Sequence, residues 1–187
     1  MARGLSQRAH QKVLEAAAEL FAARGIDSAS VDAIAAAAGV SKATVYKHWA
    51  GKEALCLEAI AKLQGELPEF DTGQPREDLT NLLRHLAQSR KTEIWGKIWP
   101  RLIGYAAGHP EFAQALQIRS TGPRRAQLAR LLKQASAKGG LRGSIDVDFA
   151  MDLLFGPILH CRLRGAEVAA NAPERIVDVF WKAYAGR

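Results

Sequence analysis

Basic and hydroxyl side chains are concentrated in residues 41–52 of this 187-residue chain. Lys42, Lys47 and Lys52 fall within this stretch, whereas no aspartate or glutamate does. A lysine can neutralise a phosphate or bond the major-groove edge of guanine, and a threonine methyl can touch thymine. The stretch therefore predicts a surface that faces a polyanionic double helix.

Two short helices are predicted to position these side chains. Ser30 and Ser41 are suitable N-caps for helices over about 31–38 and 42–49, and Gly39 can take the positive φ that ends the first helix. The apolar face of the first helix consists of Val31, Ile34, Ala35 and Ala38. Two short helices joined by a tight turn form a helix-turn-helix unit, whose second helix can lie in a DNA major groove.

The position of each side chain in this unit predicts its role. Hydroxyls and N–H groups at helix N-termini favour phosphate, and the first residues of the second helix are best placed to reach base edges. The residues expected at the DNA backbone are Ser30, Ser41, Tyr46, His48 and Lys52. The residues expected at base edges are Lys42, Ala43 and Thr44, and Lys47 could do either.

The whole chain has the composition of an all-α protein with about nine helices. Alanine and leucine are abundant and there is no extended β-branched alternation, which favours helices throughout. Gly25 is expected to end a first helix, and Pro100 is expected to kink or interrupt a later one. The remaining helices are predicted at about 7–24, 52–65, 76–89, 94–107, 110–138, 146–164 and 173–184, with a linker at 65–75.

Composition and chain start predict a cytoplasmic protein. Apolar residues make up 48% of the chain and charged residues 24%, which is typical of a folded soluble protein. No run approaches the roughly 18 apolar residues of a membrane span, and the first residues lack the apolar segment of a secretory signal. Cys56 and Cys161 are expected to be partly buried thiols in a reducing compartment, with a redox switch as the alternative.

Positive charge is not centred on the helix-turn-helix unit. The net charge of +7 suits a polyanionic partner, yet residues 84–142 alone contain twelve Lys and Arg against two Asp and Glu. One helix in this segment is predicted to carry Arg119, Arg124, Arg125, Arg130 and Lys133. These side chains could attract an anionic effector or form an ordinary solvated face.

The last two predicted helices are apolar on two sides, which implies cover on two sides. One cover is the chain's own core, and the other could be a second copy, giving a four-helix interface with close approach at Gly156. The alternative is that both helices lie within one monomer core. The residues predicted for the dimer interface are Leu154, Phe155, Gly156, Ile158, Cys161, Ile176, Phe180, Trp181 and Tyr184.

The first 60 residues resemble the tetracycline-repressor family of bacterial transcription regulators. The resemblance rests on Phe21, Gly25, Val31, Ile34-Ala35, Ala38-Gly39-Val40-Ser41, Val45-Tyr46, His48-Trp49 and Lys52-Glu53-Ala54-Leu55. The phrases HPEFAQAL and DLLFGPILHCRL also resemble one subgroup of the family's regulatory domains. Two residues depart from the pattern, since the family often has Thr at the position of Ala29 and usually Phe at that of Trp49. Trp49 is expected only to enlarge the local core.

This resemblance implies a homodimer with a DNA-binding domain at 1–51 and a regulatory, ligand-binding and dimerisation domain at 52–187. Residues 52–65 would form the connecting helix. A dimer would place two recognition helices roughly 34 Å apart, so the operator should be near-palindromic. The implied function is sequence-specific repression of transcription that a small-molecule effector relieves by displacing the connecting helix.

An effector pocket would need apolar and aromatic lining, and therefore predicts an apolar or aromatic effector. The candidate pocket residues are His85, Trp95, Trp99, Tyr105, Phe112, Met151 and Phe155, with His160 as a further polar candidate. The alternative for each apolar residue is plain hydrophobic core.

Two other classes of function compete with a ligand-responsive regulator. An enzyme is disfavoured because the histidines show no metal-type spacing with a carboxylate and the chain has no phosphate loop or nucleophile elbow. We therefore expect no catalytic residues, no metal and no cofactor. An architectural DNA-binding dimer without an effector is the other alternative, and it would show weak sequence preference.

Overall fold

The computed structural model describes residues 6–88 and 93–186, the side chain of Glu93 excepted. Apart from one isolated bridge, all regular structure in these ranges is helical. The helices are α1 (Gln7–Ser28), α2 (Val31–Ala38), α3 (Lys42–His48), α4 (Lys52–Gln64), α5 (Pro75–Gln88), α6 (Glu93–Gly108), α7 (Pro110–Leu116), a π-helical turn (Gln117–Thr121), α8 (Gly122–Ala137), α9 (Val147–Leu163) and α10 (Ala172–Tyr184). Because the segments from α7 to α8 are continuous, the described chain has nine helical runs, and the all-α prediction is confirmed. None of these helices combines the length and apolar character needed to cross a bilayer.

The sequence predicts a helix end at Gly25 and a kink or interruption at Pro100, and the helix is interrupted only at Gly25. Gly25 has φ +81° and ψ 168°, and one further helical turn follows it in α1. The helix α6 continues through Pro100. Trp95 and Leu102 lie on either side of Pro100 and are both buried, so their packing offsets the loss of one backbone donor.

The predicted position 89 at the end of α5 lies outside the described residues.

Residues 6–65 and 93–120 form one compact unit built around α1. The buried face of α1, which includes Val13, Ala17 and Phe21, packs against α2, α4 and α6. Helices of seven or eight residues, such as α2 and α3, are too short to be stable alone and depend on this packing. Cys56 of α4 is also in this core. Burial is the main cause that raises the pKa of its thiol to about 12. The thiol is therefore protonated and unreactive at neutral pH.

Residues 66–88 and 121–186 form a second compact unit with its own hydrophobic core. The helices α5, α8, α9 and α10 supply the core through residues such as Leu82, Leu131, Leu154 and Val177. Arg162 of α9 donates hydrogen bonds to two backbone carbonyls in the last turn of α5, at 2.9 and 3.0 Å. Those carbonyls have no partner within the helix, so the arginine caps α5.

The predicted linker is non-helical but is held against α8. Arg130 donates a hydrogen bond to the carbonyl oxygen of Phe70 at 2.7 Å. Gln127 donates to the carbonyl oxygen of Pro68 at 2.9 Å. These bonds satisfy backbone acceptors that a loop would otherwise expose to water. Residues 66–74 therefore belong to the second unit and are fixed in place within it.

Part of the positive charge in residues 84–142 is neutralised inside the second unit. Arg125 forms an ion pair with Asp148, 2.5 Å apart, which raises the pKa of the guanidinium and lowers that of the carboxyl. The guanidinium of Arg130 lies 3.4 Å from a carboxylate oxygen of Asp71, which belongs to the segment predicted as a linker. Lys133 is exposed. Arg125 and Arg130 thus serve the fold, and Arg124 is itself buried in α8.

Packing groups helices that are distant in sequence. The helices α6 and α7 join the N-terminal unit, although they follow the linker and α5 in the chain. The predicted domains 1–51 and 52–187 are defined by function, so that division stays a prediction.

Gly39 provides a test of the turn between α2 and α3. It ends α2 with φ +69° and ψ 34°, a conformation that disfavours any side chain with a Cβ. The variant Gly39→Ala should lower the free energy of unfolding by roughly 1–2 kcal/mol, measured by urea denaturation. The control Gly104→Ala, within α6 and with no atom near an added Cβ, should raise it by about 0.5–1 kcal/mol. Equal shifts in the two variants would contradict the assignment.

Candidate DNA interface

The N-termini of α2 and α3 are capped by the two serines that the sequence predicts. The hydroxyl oxygen of Ser30 accepts a hydrogen bond from the backbone N–H of Ala33 at 3.1 Å. The hydroxyl oxygen of Ser41 accepts one from the N–H of Thr44, also at 3.1 Å, and lies 2.7 Å from the Thr44 hydroxyl. Both serines are exposed at positive helix ends, which is the geometry that favours a phosphate.

The turn between the helices is closed by backbone hydrogen bonds. The N–H of Val40 donates to the carbonyl oxygen of Ala35 at 3.0 Å, while Gly39 takes the left-handed conformation. This arrangement satisfies free carbonyls at the end of α2 and sends the chain directly into α3.

The surface of α3 is almost entirely open to solvent. Val45 is the one buried side chain among its seven residues, all of which the structure describes. Thr44 is half-buried, and Tyr46 is 50% exposed. The other exposed residues of α3 are Lys42, Ala43, Lys47 and His48. A short helix with one inward anchor and a polar outward face is suited to entering a groove.

Lys42 has a partner that sequence reasoning did not identify. Its ammonium lies 2.8 Å from a carboxylate oxygen of Asp32 in the first turn of α2, and 5.9 Å from the centre of the Tyr46 ring. The hydrogen bond to Asp32 raises the pKa of the ammonium. The sequence shows Asp32 in the first turn of α2, but it does not show the turn geometry that brings this carboxylate to Lys42.

Lys52 begins α4 and is attached to the end of α1. Its ammonium donates a hydrogen bond to the carbonyl oxygen of Asp27 at 3.0 Å, and its side chain is half-buried. The bond leaves two of the three ammonium protons for other acceptors. The predicted contact of Lys52 with the DNA backbone stays a prediction.

Trp49 enlarges the local core as predicted and also forms a hydrogen bond that the sequence did not predict. The side chain is 3% exposed, and its indole N–H donates to a carboxylate oxygen of Glu58 in α4 at 2.6 Å. The end of α3 is therefore fixed to α4 by a directional bond in addition to apolar packing.

Comparison with known proteins agrees with this geometry. Residues 13–59 match the description "Bacterial regulatory proteins, tetR family", and residues 69–180 match "Tetracyclin repressor-like, C-terminal domain". The second match alone covers more than half of the chain. The chain belongs to the TetR family.

Two relatives and one solved structure illustrate the similarity. The uncharacterized HTH-type transcriptional regulator YdeS of Bacillus subtilis (strain 168) is 36% identical over 156 residues, 81% of this chain and 76% of YdeS. The HTH-type transcriptional regulator SrpR of Pseudomonas putida is 36% identical over 184 residues, 94% of this chain and 85% of SrpR. The structure of the flavonoid-responsive regulator FrrA has a TM-score of 0.72 at 26% identity, covering 97% of this chain and all of FrrA.

TetR-family membership establishes the class of function. The chain is a helix-turn-helix transcriptional regulator, and the family and its relatives are regulators rather than enzymes. Repression controlled by effector binding is typical of the family.

The seven residues predicted for the effector pocket are divided between the two hydrophobic cores. Trp95, Trp99, Tyr105 and Phe112 pack in the core of the first unit, and His85, Met151 and Phe155 belong to the second unit. The rings of Trp95 and Trp99 are stacked 5.5 Å apart, and those of Tyr105 and Phe112 meet edge to face at 5.0 Å. Their role as a pocket stays a prediction.

Tyr105 connects α6 to α4 within the first unit. Its hydroxyl donates a hydrogen bond to a carboxylate oxygen of Glu53 at 2.6 Å. Burial, followed by this bond and the Glu53 charge, raises the pKa of the phenol. The phenol is therefore neutral across the physiological range and available as a donor.

The nine residues predicted for a dimer interface fall into two groups. Leu154, Phe155, Ile158 and Phe180 are buried in the second unit's own core, whereas Gly156, Cys161, Ile176, Trp181 and Tyr184 are half-buried. Helical spacing identified the apolar sides but could not tell which side faces inward. The exposed large apolar residues of α9 and α10 are Phe149, Leu153, Leu163 and Val179, none of which was predicted.

An apolar groove lies between α9 and α10 beside these residues. Its volume is about 610 Å³, and its lining includes Leu153, Pro157, Ile176, Val179 and Tyr184. None of the seven predicted pocket residues lines it. The thiol of Cys161 also faces this groove and donates a hydrogen bond to the carbonyl oxygen of Glu167 at 3.3 Å.

Two variants separate contacts with the DNA backbone from contacts with bases. Lys52→Ala should weaken binding to all DNA sequences and reduce the slope of log K against log salt by about one, because one phosphate contact is lost. Thr44→Ala should change base preference at one position without changing the slope. Electrophoretic mobility shifts at several KCl concentrations measure both effects.

Matched controls accompany the two variants. Lys62→Ala removes an exposed lysine at the other end of α4 and should leave the slope unchanged. Thr44→Ser keeps the hydroxyl that meets Ser41 and removes the methyl, so it isolates the contact with a thymine methyl. Wild-type affinity, slope and base preference in both Lys52→Ala and Thr44→Ala would contradict the proposed docking.

Proposed function

We propose that the chain is a homodimeric, cytoplasmic repressor that binds a near-palindromic operator and releases it when a small apolar or aromatic molecule binds. The observation that carries this proposal is the capped and exposed helix α3. Its outward face carries Lys42, Ala43, Thr44 and Lys47, while Val45 is its one buried side chain. Such a helix exposes side chains of the types that can bond base edges in a DNA major groove.

The apolar groove between α9 and α10 supports a dimer with a second copy of the chain. Val179 is 69% exposed and Leu153 is 41% exposed, and both line the groove. Clustered apolar side chains on two adjacent helices favour a partner surface over water. Regulators of this family typically act as dimers, so a second copy is the proposed occupant.

The backbone at Gly156 is compatible with that arrangement. Apart from its chain neighbours and its own helix backbone, no atom of the described residues lies within 4 Å of a Cβ built on this residue, so the surface above it is open. Helices from two copies can approach closely where a residue has no side chain. A two-fold dimer would repeat α3 at two half-sites about one helical turn of DNA apart.

The effector is proposed to be apolar or aromatic. The candidate pocket residues are mainly aromatic, and FrrA, which is similar to this chain over its whole length, is named a flavonoid-responsive regulator. Effector binding is typical of the family. An apolar ligand gains most of its affinity from burial and needs few polar contacts.

The proposed coupling element is α4. It begins at Lys52, beside the DNA-facing helix, and Glu53 in its first turn bonds Tyr105 of α6. A ligand can shift operator affinity only if it binds the two arrangements with different affinity. We therefore expect the effector to favour an arrangement in which α4 has moved and Lys52 no longer reaches the DNA backbone.

A charge in the groove should separate the two copies. Val179→Lys should convert the dimer to a monomer in light scattering, because burying an ammonium in an apolar interface is unfavourable. Operator affinity should then fall about a hundredfold or more, since the half-sites lose their linked binding. The control is Ile118→Lys, at an apolar residue of the first unit that is 66% exposed, and it should stay dimeric. A dimeric Val179→Lys protein would exclude this interface.

A ligand screen addresses the effector. Aromatic and apolar compounds that raise the melting temperature should also weaken binding to an operator selected from randomised duplexes. By linkage, the selected operator should weaken the binding of the compound by the same factor. If every stabilising compound left operator affinity unchanged, the alternative of a DNA-binding dimer without an effector would be favoured.

A further inference from the structure

Side chains from α1, from α4 and from the C-cap residue of α3 form a hydrogen-bonded cluster at the end of α3. Glu58 of α4 accepts the indole N–H of Trp49 at one carboxylate oxygen, at 2.6 Å. Its other oxygen accepts a hydrogen bond from Nε2 of His10 in α1, also at 2.6 Å. The rings of His10 and Trp49 lie 4.8 Å apart and are tilted by 35°. The carboxylate thus joins α1, α3 and α4 at one point.

The chemistry of the three groups makes each bond directional. An indole N–H can only donate, and an ionised carboxylate can only accept. Nε2 of His10 must therefore carry a proton to bond the carboxylate. The side chains of His10 and Glu58 are 34% and 39% exposed, so the carboxylate remains partly hydrated while it holds both donors. Bonds in which one partner is charged are the stronger class of hydrogen bond.

The two ends of α3 have different directional attachments: Lys42 pairs with Asp32 of α2 at the N-terminal end, and the indole of Trp49 bonds Glu58 of α4 at the C-terminal end. Val45 is its one buried side chain, and apolar burial is non-directional, whereas a hydrogen bond constrains the geometry of both partners. Trp49 follows immediately as the C-cap residue, and its own backbone N–H donates to the carbonyl oxygen of Val45 at 2.9 Å. The position of the indole is therefore coupled to the orientation of the whole helix.

We propose that Glu58 is a positioning residue for DNA recognition, acting through Trp49 to set the orientation of α3. The proposal rests on the assignment of α3 as the DNA-reading helix. Glu58 would touch no base or phosphate. Its effect would be on the ratio of operator affinity to non-specific affinity, because non-specific binding depends on the charges alone.

Three variants test the proposal against an operator selected by the wild-type protein from randomised duplexes. Glu58→Met removes the acceptor, and Trp49→Phe keeps an aromatic ring while removing the donor. Each should lower the ratio of operator affinity to scrambled-duplex affinity about tenfold, and Trp49→Phe, which changes no charge, should leave affinity for a scrambled duplex of equal length unchanged. Glu58→Gln keeps an oxygen that accepts the indole N–H, so it should retain most of the operator affinity.

A double variant and a charge control complete the test. If Glu58 acts through the indole, Glu58→Met combined with Trp49→Phe should bind the operator no more weakly than either single variant. Glu19→Gln removes one negative charge from an exposed position of α1 and should leave the affinity ratio unchanged. All proteins are compared at a temperature at which circular dichroism shows them fully folded.

The outcomes distinguish this proposal from the proposed function. Folded Glu58→Met and Trp49→Phe proteins with the wild-type ratio of operator to scrambled-duplex affinity would overturn the positioning role. Additive losses in the double variant would also overturn it, because the two residues would then act separately. Failure of the wild-type protein to select any operator would instead count against the proposed function itself.

Discussion

Burial of the apolar face of α1 is the constraint on which the DNA-binding surface depends. The helices α2 and α3 are too short to enclose a core, and α1 supplies the surface that α2, α4 and α6 share. Phe21 and Val13 are fully buried there, and burying one such side chain contributes about 1.5–3 kcal/mol. A change in the packing of α1 would therefore reach the helix-turn-helix unit through α2 and α4.

The helix α4 carries two carboxylates that hold aromatic donors from different directions. Glu53 accepts the hydroxyl of Tyr105 from α6, and Glu58 accepts the indole N–H of Trp49 at the end of α3, both at 2.6 Å. The buried residues between them, such as Leu55 and Cys56, pack in the core. A helix with polar bonds at its surface and a packed apolar face tends to move as one body when it moves at all.

Local signals made much of the fold predictable. Ser30, Gly39 and Ser41 each act within a few residues of themselves, and the structure places caps and a left-handed turn where their chemistry requires them. Contacts between elements that are distant in sequence could not be predicted from such local patterns. The packing of α6 with the N-terminal helices, the bond from Trp49 to Glu58 and the inward side of α9 all depend on which elements meet in space. Pro100 illustrates the same limit, since α6 continues through it while the neighbouring side chains Trp95 and Leu102 pack in the core.

The ion pair between Lys42 and Asp32 has a consequence for how the protein searches DNA. A lysine that already holds a carboxylate exchanges one anionic partner for another when it meets a phosphate, and fewer condensed cations are released in net terms. The number of lysines on α3 therefore overstates how strongly salt controls its binding. Contacts with arbitrary sequence are weakened most, since they depend on counterion release alone. A lysine paired in this way at a DNA-facing position would shorten the time spent on the wrong sites and ease movement along the chromosome.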